Sequence, residues 1–179
     1  MHILARRNTL SHANGPDLLI LLFECTFTLI SCRFILSNHS LDVCLDPKSV
    51  RENITSKTKA ILTVDIFGQS SNFPVLKEIS EEYGLLLLSD SAQAPGSFIN
   101  GELTGTFADI GGFSLNYHKH IHTGEGGVLV TNDEDLALRL KLIRNHGEAS
   151  VSKTGLKDIR NIIGGNYRLG EIEAAIGRV

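Results

Sequence analysis

Short apolar segments alternate with amphipathic helical segments from residue 46 onward, and this alternation restricts the fold more than any other feature of the sequence. Residues 60–67 (AILTVDIF) and 85–88 (LLLL) are typical of strands that are buried on both faces. Residues 110–115 and 127–131 predict two further short strands on either side of a glycine-rich loop. Because the links between elements are short, this order predicts an α/β domain with a mostly parallel sheet.

Two amphipathic helices accompany these strands. The first is predicted to start after Asn72 and end at Gly84, and the second to start after Asn132 or Asp133 and end at Gly147. The apolar stripes predicted to face the core are Leu76, Ile79 and Tyr83 in the first helix and Leu136, Leu140 and Ile143 in the second.

The composition is that of a globular domain that binds no nucleic acid. The 179 residues are 42% hydrophobic and 21% charged, with 17 lysines and arginines, 20 aspartates and glutamates and a net charge of −3. Such a chain can bury one core, but it lacks a basic surface and has no tryptophan for stacking on bases. The three cysteines, Cys25, Cys32 and Cys44, match neither a zinc nor a paired-disulfide pattern, which favours a reducing compartment such as the cytoplasm.

The first 37 residues differ in character from the rest of the chain. They hold five charged side chains, and residues 18–36 are strongly apolar and follow an arginine pair. A signal peptide or membrane anchor is one interpretation, but Glu24 and Arg33 would each cost about 2.5–3.5 kcal/mol near a bilayer centre. A buried segment, or one outside the reading frame of the remaining chain, is the other. We divide the chain into an apolar segment, residues 1–37, and an α/β portion, residues 38–179, and expect no membrane association.

Asp90 is the first candidate site residue because it follows a buried strand. Ligands of open α/β sheets lie beyond the carboxyl ends of the strands, and Gln93 can share that side. A carboxylate at a strand end is also commonly the cap of a turn or helix. Spacing alone leaves both interpretations open.

The glycine-rich segment 113–127 (FSLNYHKHIHTGEGG) is the second candidate. Its histidines, His118, His120 and His122, would share one face of a strand and suit zinc, although the glycines disfavour a regular strand. Lys119 is either a solvated lysine or a nucleophile toward a carbonyl group. The residues alone predict an anionic ligand near this loop, and the absence of Walker A and G-x-G-x-x-G patterns disfavours nucleoside triphosphates and dinucleotides.

Six sequence blocks in a consistent order cover about four-fifths of the chain. They are DIFGQSSNF (65–73), LLLLSDSAQAPGS (85–97), GTFADIGGFSL (105–115), KHIHTGEGGVLVTND (119–133), LIRNHG (142–147) and GGNYRLGEIEAAIGRV (164–179). Through them, residues 41–179 resemble the DegT/DnrJ/EryC1/StrS family of pyridoxal-phosphate-dependent aminotransferases, which act on nucleotide-linked keto sugars. The resemblance implies a three-layer α/β sandwich, the large domain of the aspartate aminotransferase-like fold (fold type I).

The resemblance also implies the two central roles of the site. Lys119 matches the lysine that holds the cofactor as an imine and moves the proton during transfer. Asp90 matches the carboxylate that faces the pyridine nitrogen and keeps it protonated, so that the ring accepts electrons. A branch of the family carries histidine in place of the lysine and removes a sugar hydroxyl, so Lys119 favours transamination over dehydration.

Four further positions match cofactor-binding residues of the family. Gln93 corresponds to the residue near the ring oxygen of the cofactor, and Ala92 to the small residue against the ring face. Ser114 corresponds to a hydroxyl that binds the cofactor phosphate. Asn166 corresponds to an asparagine that reaches the phosphate of the neighbouring subunit, which implies a homodimer. In this assignment the histidines belong to a loop, and no metal is expected.

The implied activity is transfer of an amino group from an amino acid, glutamate or a similar donor, to a nucleotide-linked keto sugar, as in the synthesis of polysaccharide precursors. Two departures from the family pattern are expected to matter. Residues 1–37 show no Gly-Thr-Ala turn for the phosphate, and the family's small C-terminal domain has no counterpart. A truncated, catalytically silent form of such an enzyme is the alternative prediction, with weak cofactor binding.

Overall fold

The computed structural model describes residues 2–6, 33–37, 43–147 and 163–179. Six strands form one sheet: β1 (His2–Arg6), β2 (Arg33–Ser37), β3 (Thr58–Val64), β4 (Leu86–Asp90), β7 (Ile110–Ser114) and β8 (Gly127–Val130). Their order across the sheet is β2-β1-β3-β4-β7-β8. Every neighbouring pair is parallel except β7 and β8, which are antiparallel. The predicted α/β domain with a mostly parallel sheet is therefore confirmed.

A two-stranded hairpin lies outside this sheet. Its strands, β5 (Phe98–Ile99) and β6 (Glu102–Leu103), pair antiparallel. The connecting residues, Asn100 and Gly101, both have positive φ angles, 52° and 83°. Two consecutive positive φ angles are what a tight two-residue hairpin requires, and Asn-Gly is the pair that adopts them most readily.

Four helices are described: α1 (Pro47–Asn53), α2 (Phe73–Tyr83), α3 (Glu134–Arg144) and α4 (Glu171–Ile176). The helix α2 ends as predicted at Gly84, whose left-handed conformation (φ 61°, ψ 41°) terminates it. Of the two candidate caps for α3, Asp133 is the residue used, and its carboxylate accepts a hydrogen bond from the Leu136 amide.

The core lies between α2 and the centre of the sheet. The strand β3 is buried on both faces, as predicted, because successive residues along it are inaccessible. The fully buried apolar side chains of this cluster include Leu45, Val50, Ile61, Phe73, Leu76, Ile79 and Leu87. The Phe73 ring also stacks on Phe107, with centroids 5.5 Å apart.

Several details of the predicted elements are wrong. The helix α3 ends at Arg144 and not at Gly147. The strand predicted over residues 60–67 stops at Val64, and Phe67 lies in a 3-10 turn with φ 57° and its side chain exposed. In α2, Tyr83 is 44% exposed and is the last residue of the helix. In α3, Leu142 is the buried residue and Ile143 is exposed.

Two strands belong to the segment 1–37, where β1 pairs with β3 and β2 lies at the edge of the sheet. Most of the apolar stretch 18–36 lies outside the described residues. Among those the structure does describe, no helix is long and apolar enough to cross a membrane. The division of the chain at residues 37 and 38 remains a prediction.

Candidate functional site

Asp90 lies where the carboxyl ends of neighbouring parallel strands meet. It is the last residue of β4 and pairs with Val64, the last residue of β3, and with Gly112 of β7. Its carbonyl oxygen accepts a hydrogen bond of 2.9 Å from the amide of Asp65. The register of three strands therefore determines where Asp90 begins to leave the sheet.

The Asp90 side chain caps a turn with one oxygen only. Its Oδ1 accepts a hydrogen bond of 3.0 Å from the Ala92 amide, whereas no bond to Oδ2 forms within the described part of the chain. Burial raises the pKa of this carboxyl, and the Ala92 amide and the positive charge of Lys119 oppose that shift. The charge of Asp65 raises the pKa further. Asp90 is thus both a turn cap and a half-buried carboxyl within the electrostatic field of Lys119.

Gln93 and Ala92 follow in the turn after β4. The Oε1 atom of Gln93 accepts a hydrogen bond of 2.9 Å from the amide of Phe67, which stabilises the unusual left-handed backbone at Phe67. Gln93 is exposed and Ala92 half-buried. The side chain of Gln93, a predicted site residue, therefore connects the turn after β3 with the turn after β4.

Lys119 is half-buried in the loop between β7 and β8, and Asn116 holds this loop together. The Asn116 carbonyl oxygen accepts from the Lys119 amide at 2.8 Å, and its Oδ1 accepts from the His118 amide at 3.1 Å. Its Nδ2 donates to both carboxylate oxygens of Glu125, each at 3.0 Å. One side chain thereby connects the outgoing and returning halves of the loop.

The base of the loop is closed by backbone hydrogen bonds around Leu115. The Leu115 amide donates to the Gly126 carbonyl at 2.9 Å, and the Thr123 amide donates to the Leu115 carbonyl at 3.0 Å. Ser114 lies next to this closure, at the end of β7, and its hydroxyl oxygen accepts from the Asn116 amide at 3.2 Å. Among the residues that the structure describes, this hydroxyl donates no hydrogen bond.

The hypothesis of a zinc site required the three histidines of the loop to share one face of a strand, and they do not lie on a strand. The backbone bends over residues 117–121, and His118, His120 and His122 are all exposed. Within the described ranges, no group of three or more His, Cys, Asp or Glu residues could hold a metal ion.

Asn166 lies apart from the residues above. It forms an isolated antiparallel bridge with Asn145, just after α3, and it is exposed. No hydrogen bond links it to Asp90, Ser114 or Lys119 in the part of this chain that the structure describes. Its predicted role concerned a neighbouring subunit and stays a prediction.

Asp65, which directly follows β3, was not predicted as a site residue from the sequence. Asp65 is fully buried, and its carboxylate accepts hydrogen bonds from the Ser71 amide (2.9 Å) and from the hydroxyls of Ser89 (2.8 Å) and Ser91 (2.7 Å). The sequence did contain a signal for this contact. Asp65 follows one buried strand, and the Ser-Asp-Ser pattern of residues 89–91 lies at the end of the next, so hydroxyl donors and a carboxylate acceptor meet at one edge of the sheet.

Solved structures of pyridoxal-phosphate enzymes superpose on nearly the whole chain. An aminotransferase of pseudoaminic acid biosynthesis from Helicobacter pylori is 30% identical, with a TM-score of 0.77 over 99% of this chain and 44% of that one. GDP-4-keto-6-deoxy-D-mannose-3-dehydratase from E. coli, solved with bound hydrated pyridoxal phosphate, is 26% identical, with a TM-score of 0.72 over 99% of this chain and 46% of that one. The fold is that of the pyridoxal-phosphate-dependent enzymes of fold type I.

Sequence similarity assigns the chain to one family among these fold type I enzymes. The sequence model of the DegT/DnrJ/EryC1/StrS aminotransferase family matches residues 37–179, and the chain belongs to this family. GDP-perosamine synthase from Caulobacter vibrioides is 37% identical over 133 residues, which are 74% of this chain and 35% of that protein. The dTDP-3-amino-3,6-dideoxy-alpha-D-galactopyranose transaminase of Aneurinibacillus thermoaerophilus is 40% identical over 133 residues, with the same coverage of 74% and 35%. The chain spans about a third of the length of these relatives.

The residues of this site fit pyridoxal phosphate, the cofactor of the family. Asp90 presents a carboxylate oxygen that accepts no hydrogen bond from the described residues, as a partner for a protonated ring nitrogen requires. The Lys119 amine lies close enough to influence that carboxyl electrostatically. The Ser114 hydroxyl can donate to a phosphate oxygen.

Proposed function

We propose that this chain is the cofactor-binding portion of an aminotransferase. It transfers an amino group from an amino acid, glutamate or a similar donor, to a nucleotide-linked keto sugar for the synthesis of amino sugars and polysaccharide precursors. The observation that carries this proposal is the placement of Asp90 at the end of β4 and of Lys119 in the loop after the neighbouring strand β7, where the positive charge of Lys119 lowers the pKa of the Asp90 carboxyl. The three cysteines show no paired-disulfide pattern, which supports a cytoplasmic location.

The two central residues have complementary chemistry. Pyridoxal phosphate supplies an electron-accepting ring when it is bound. The Asp90 carboxylate would hold the ring nitrogen through a hydrogen bond and favour its protonated form. The Lys119 amine would hold the group covalently through its Nζ atom and, once an incoming amine had displaced it, could accept and return the proton of the substrate carbon.

The remaining candidates bind and orient. Ser114 would donate a hydrogen bond from its hydroxyl to the phosphate, and Gln93 would contact the ring oxygen through the amide NH₂ that its bond to Phe67 leaves available. Ala92 would leave space for the ring face because its side chain is a single methyl group. Asn166 would donate to the phosphate held by a partner subunit in a homodimer.

The relatives include aminotransferases and a sugar dehydratase. Lys119 supports aminotransfer, because a primary amine can both form the covalent link and carry the proton. There are two alternatives: an enzyme that dehydrates the sugar, and a silent chain that keeps the site residues without turnover. The labelling experiment described next, combined with an assay of amino transfer, distinguishes both from an aminotransferase.

Borohydride reduction in the presence of pyridoxal phosphate, followed by peptide mapping, tests the site directly. We expect the cofactor on Lys119 and little on Lys141, which is exposed and serves as the internal control. Lys119→Arg abolishes the labelled peptide, whereas Lys141→Arg leaves its yield unchanged. Equal labelling of both lysines contradicts the assignment. Labelling at Lys119 without amino transfer to a keto sugar supports the silent or dehydratase alternative.

A further inference from the structure

A buried hydrogen-bond network lies directly beneath the Asp90 end of the sheet. Its centre is Asp65, which is fully inaccessible to solvent, as are Ser71 and Ser91. The Oδ2 atom of Asp65 accepts from the hydroxyls of Ser89 at 2.8 Å and Ser91 at 2.7 Å, while its Oδ1 accepts from the Ser71 amide at 2.9 Å. Among the described residues, no lysine, arginine or histidine forms an ion pair with it.

The two serines that Asp65 holds are the sequence neighbours of Asp90 on either side. Successive residues of a strand point to opposite faces, so the anchoring of Ser89 and Ser91 on one face places the side chain between them on the other. The two hydroxyls are also within 2.7 Å of each other. The Asp65 amide adds a third link because it donates to the Asp90 carbonyl at 2.9 Å.

We propose that Asp65 is a positioning residue, whose buried carboxylate anchors both neighbours of Asp90 and thereby holds the Asp90 carboxyl on the site face of the sheet. This inference rests on the proposed function of Asp90. It explains how a carboxylate that forms no ion pair with the described residues can be buried: an acceptor-only group satisfies one amide and two hydroxyl donors at once. An asparagine in either orientation turns an NH₂ group toward one of these donors.

The same carboxylate acts on Asp90 through space. The charge of Asp65 raises the pKa of Asp90, whereas the charge of Lys119 lowers it. Asp65 therefore holds the Asp90 carboxylate in place and also repels its negative charge. The stabilisation from the hydrogen bonds of Asp65 has to exceed the cost of this repulsion.

Hydrogen exchange of the backbone amides in the chain without cofactor tests the anchoring. In Asp65→Asn, the amides of Ser91 and Ala92 are expected to exchange at least about tenfold faster, as the loss of one or two buried hydrogen bonds predicts. Ser91→Ala removes only one anchor, and we expect the same local effect with less risk of unfolding. The Leu76 amide in α2 reports on the fold as a whole and should change little.

Thr63→Val is the matched control. Thr63 is equally buried and its hydroxyl is 2.7 Å from that of Ser71, but it contacts neither Asp65 nor Asp90 by hydrogen bond. Unchanged exchange at Ser91 and Ala92 in both Asp65→Asn and Ser91→Ala, or an equal change in Thr63→Val, overturns the proposal.

Cofactor titration then separates positioning from mere stability. Ser91→Ala is expected to weaken binding of pyridoxal phosphate about five- to tenfold, but to have no further effect in an Asp90→Asn background. Equal effects in both backgrounds show that the network does not act through Asp90, and overturn the proposal. If the wild-type chain binds no cofactor, the proposed function fails and the exchange experiment alone decides whether Asp65 anchors the neighbours of Asp90.

Discussion

At the scale of single residues, the site carboxylate opposes the stability of the folded chain. Burial, and secondarily the charge of Asp65, raise the pKa of Asp90 above its ordinary value of 3.8. A carboxyl whose pKa is higher in the folded than in the unfolded state stabilises the fold only where it is protonated. Its contribution is complete below the unfolded pKa and is lost as the pH rises through the folded pKa.

We therefore expect Asp90→Asn to raise the melting temperature of the cofactor-free chain at neutral pH. The gain should shrink as the pH falls and vanish below about 3.8, where Asp90 itself is protonated. Asparagine can still accept the Ala92 hydrogen bond, so the cap is preserved. Thermal unfolding across this pH range checks the prediction, and a variant that is less stable than wild type at pH 7 contradicts it.

At the scale of elements, the loop between β7 and β8 depends on the Asn116 side chain. Asn116→Ala removes the two bonds to Glu125 and the bond to the His118 amide. We expect trypsin to cleave after Lys119 roughly fivefold faster, because local opening becomes easier by about 1 kcal/mol. Asn132→Ala is the control, since the Asn132 side chain is exposed and forms no hydrogen bond within the described chain. Equal cleavage rates in the two variants would exclude this role of Asn116.

The strand β7 contains two adjacent glycines with different constraints. A Cβ atom at Gly111 would overlap the backbone carbonyl of Gly105, which cannot move aside as a side chain can. At Gly112, the nearest atom to such a Cβ is Cδ2 of Leu129, at 3.4 Å.

Gly111→Ala is therefore expected to destabilise the chain by about 1–3 kcal/mol or more. Gly112→Ala, its matched control one position along the same strand, should change the free energy of unfolding by less than about 1 kcal/mol. Urea unfolding of both variants measures the difference. Similar losses in the two would show that the close approach of Gly105 to β7 is absent in solution.

At the scale of the whole molecule, the proposed role of Asn166 requires two chains. Asn166 is exposed and forms a backbone bridge with Asn145. Among the described residues, no hydrogen bond joins it to Lys119. If it donates to the phosphate of a partner subunit, Lys119→Arg and Asn166→Ala destroy different halves of each composite site.

Mixing the two variants is expected to restore one complete site per hybrid dimer. Borohydride reduction should then label Lys119 of the Asn166→Ala chain more strongly in the mixture than in that chain alone, by about twofold or more. The control is a mixture of tagged and untagged Asn166→Ala chains, in which no complete site can form. An unchanged yield on mixing with Lys119→Arg contradicts a role across subunits.

Local pattern was sufficient for the element types and for Asp90. The runs at β3 and β4 have the period and composition of buried strands, and a residue that ends such a strand must lie at the sheet edge. Lys119 was a candidate from its place in the glycine-rich loop, but its role came from the resemblance alone, because one lysine among polar neighbours carries no local signal of reactivity. The error at Phe67 has the same origin: its apolar character continues the strand pattern, and only the turn fixed by Gln93 removes it from the sheet.

The sequence by itself determined the α/β class and the family, because these follow from short-range periodicity and from ordered motifs. Only the tertiary structure decided the strand order β2-β1-β3-β4-β7-β8 and the antiparallel return of β8. It also decided that Asp65 lies beneath Asp90, although 25 positions separate them in the sequence. The physical reason is that strand register depends on which segments pair across the sheet, and that choice minimises buried unpaired polar groups and exposed apolar surface over the whole chain.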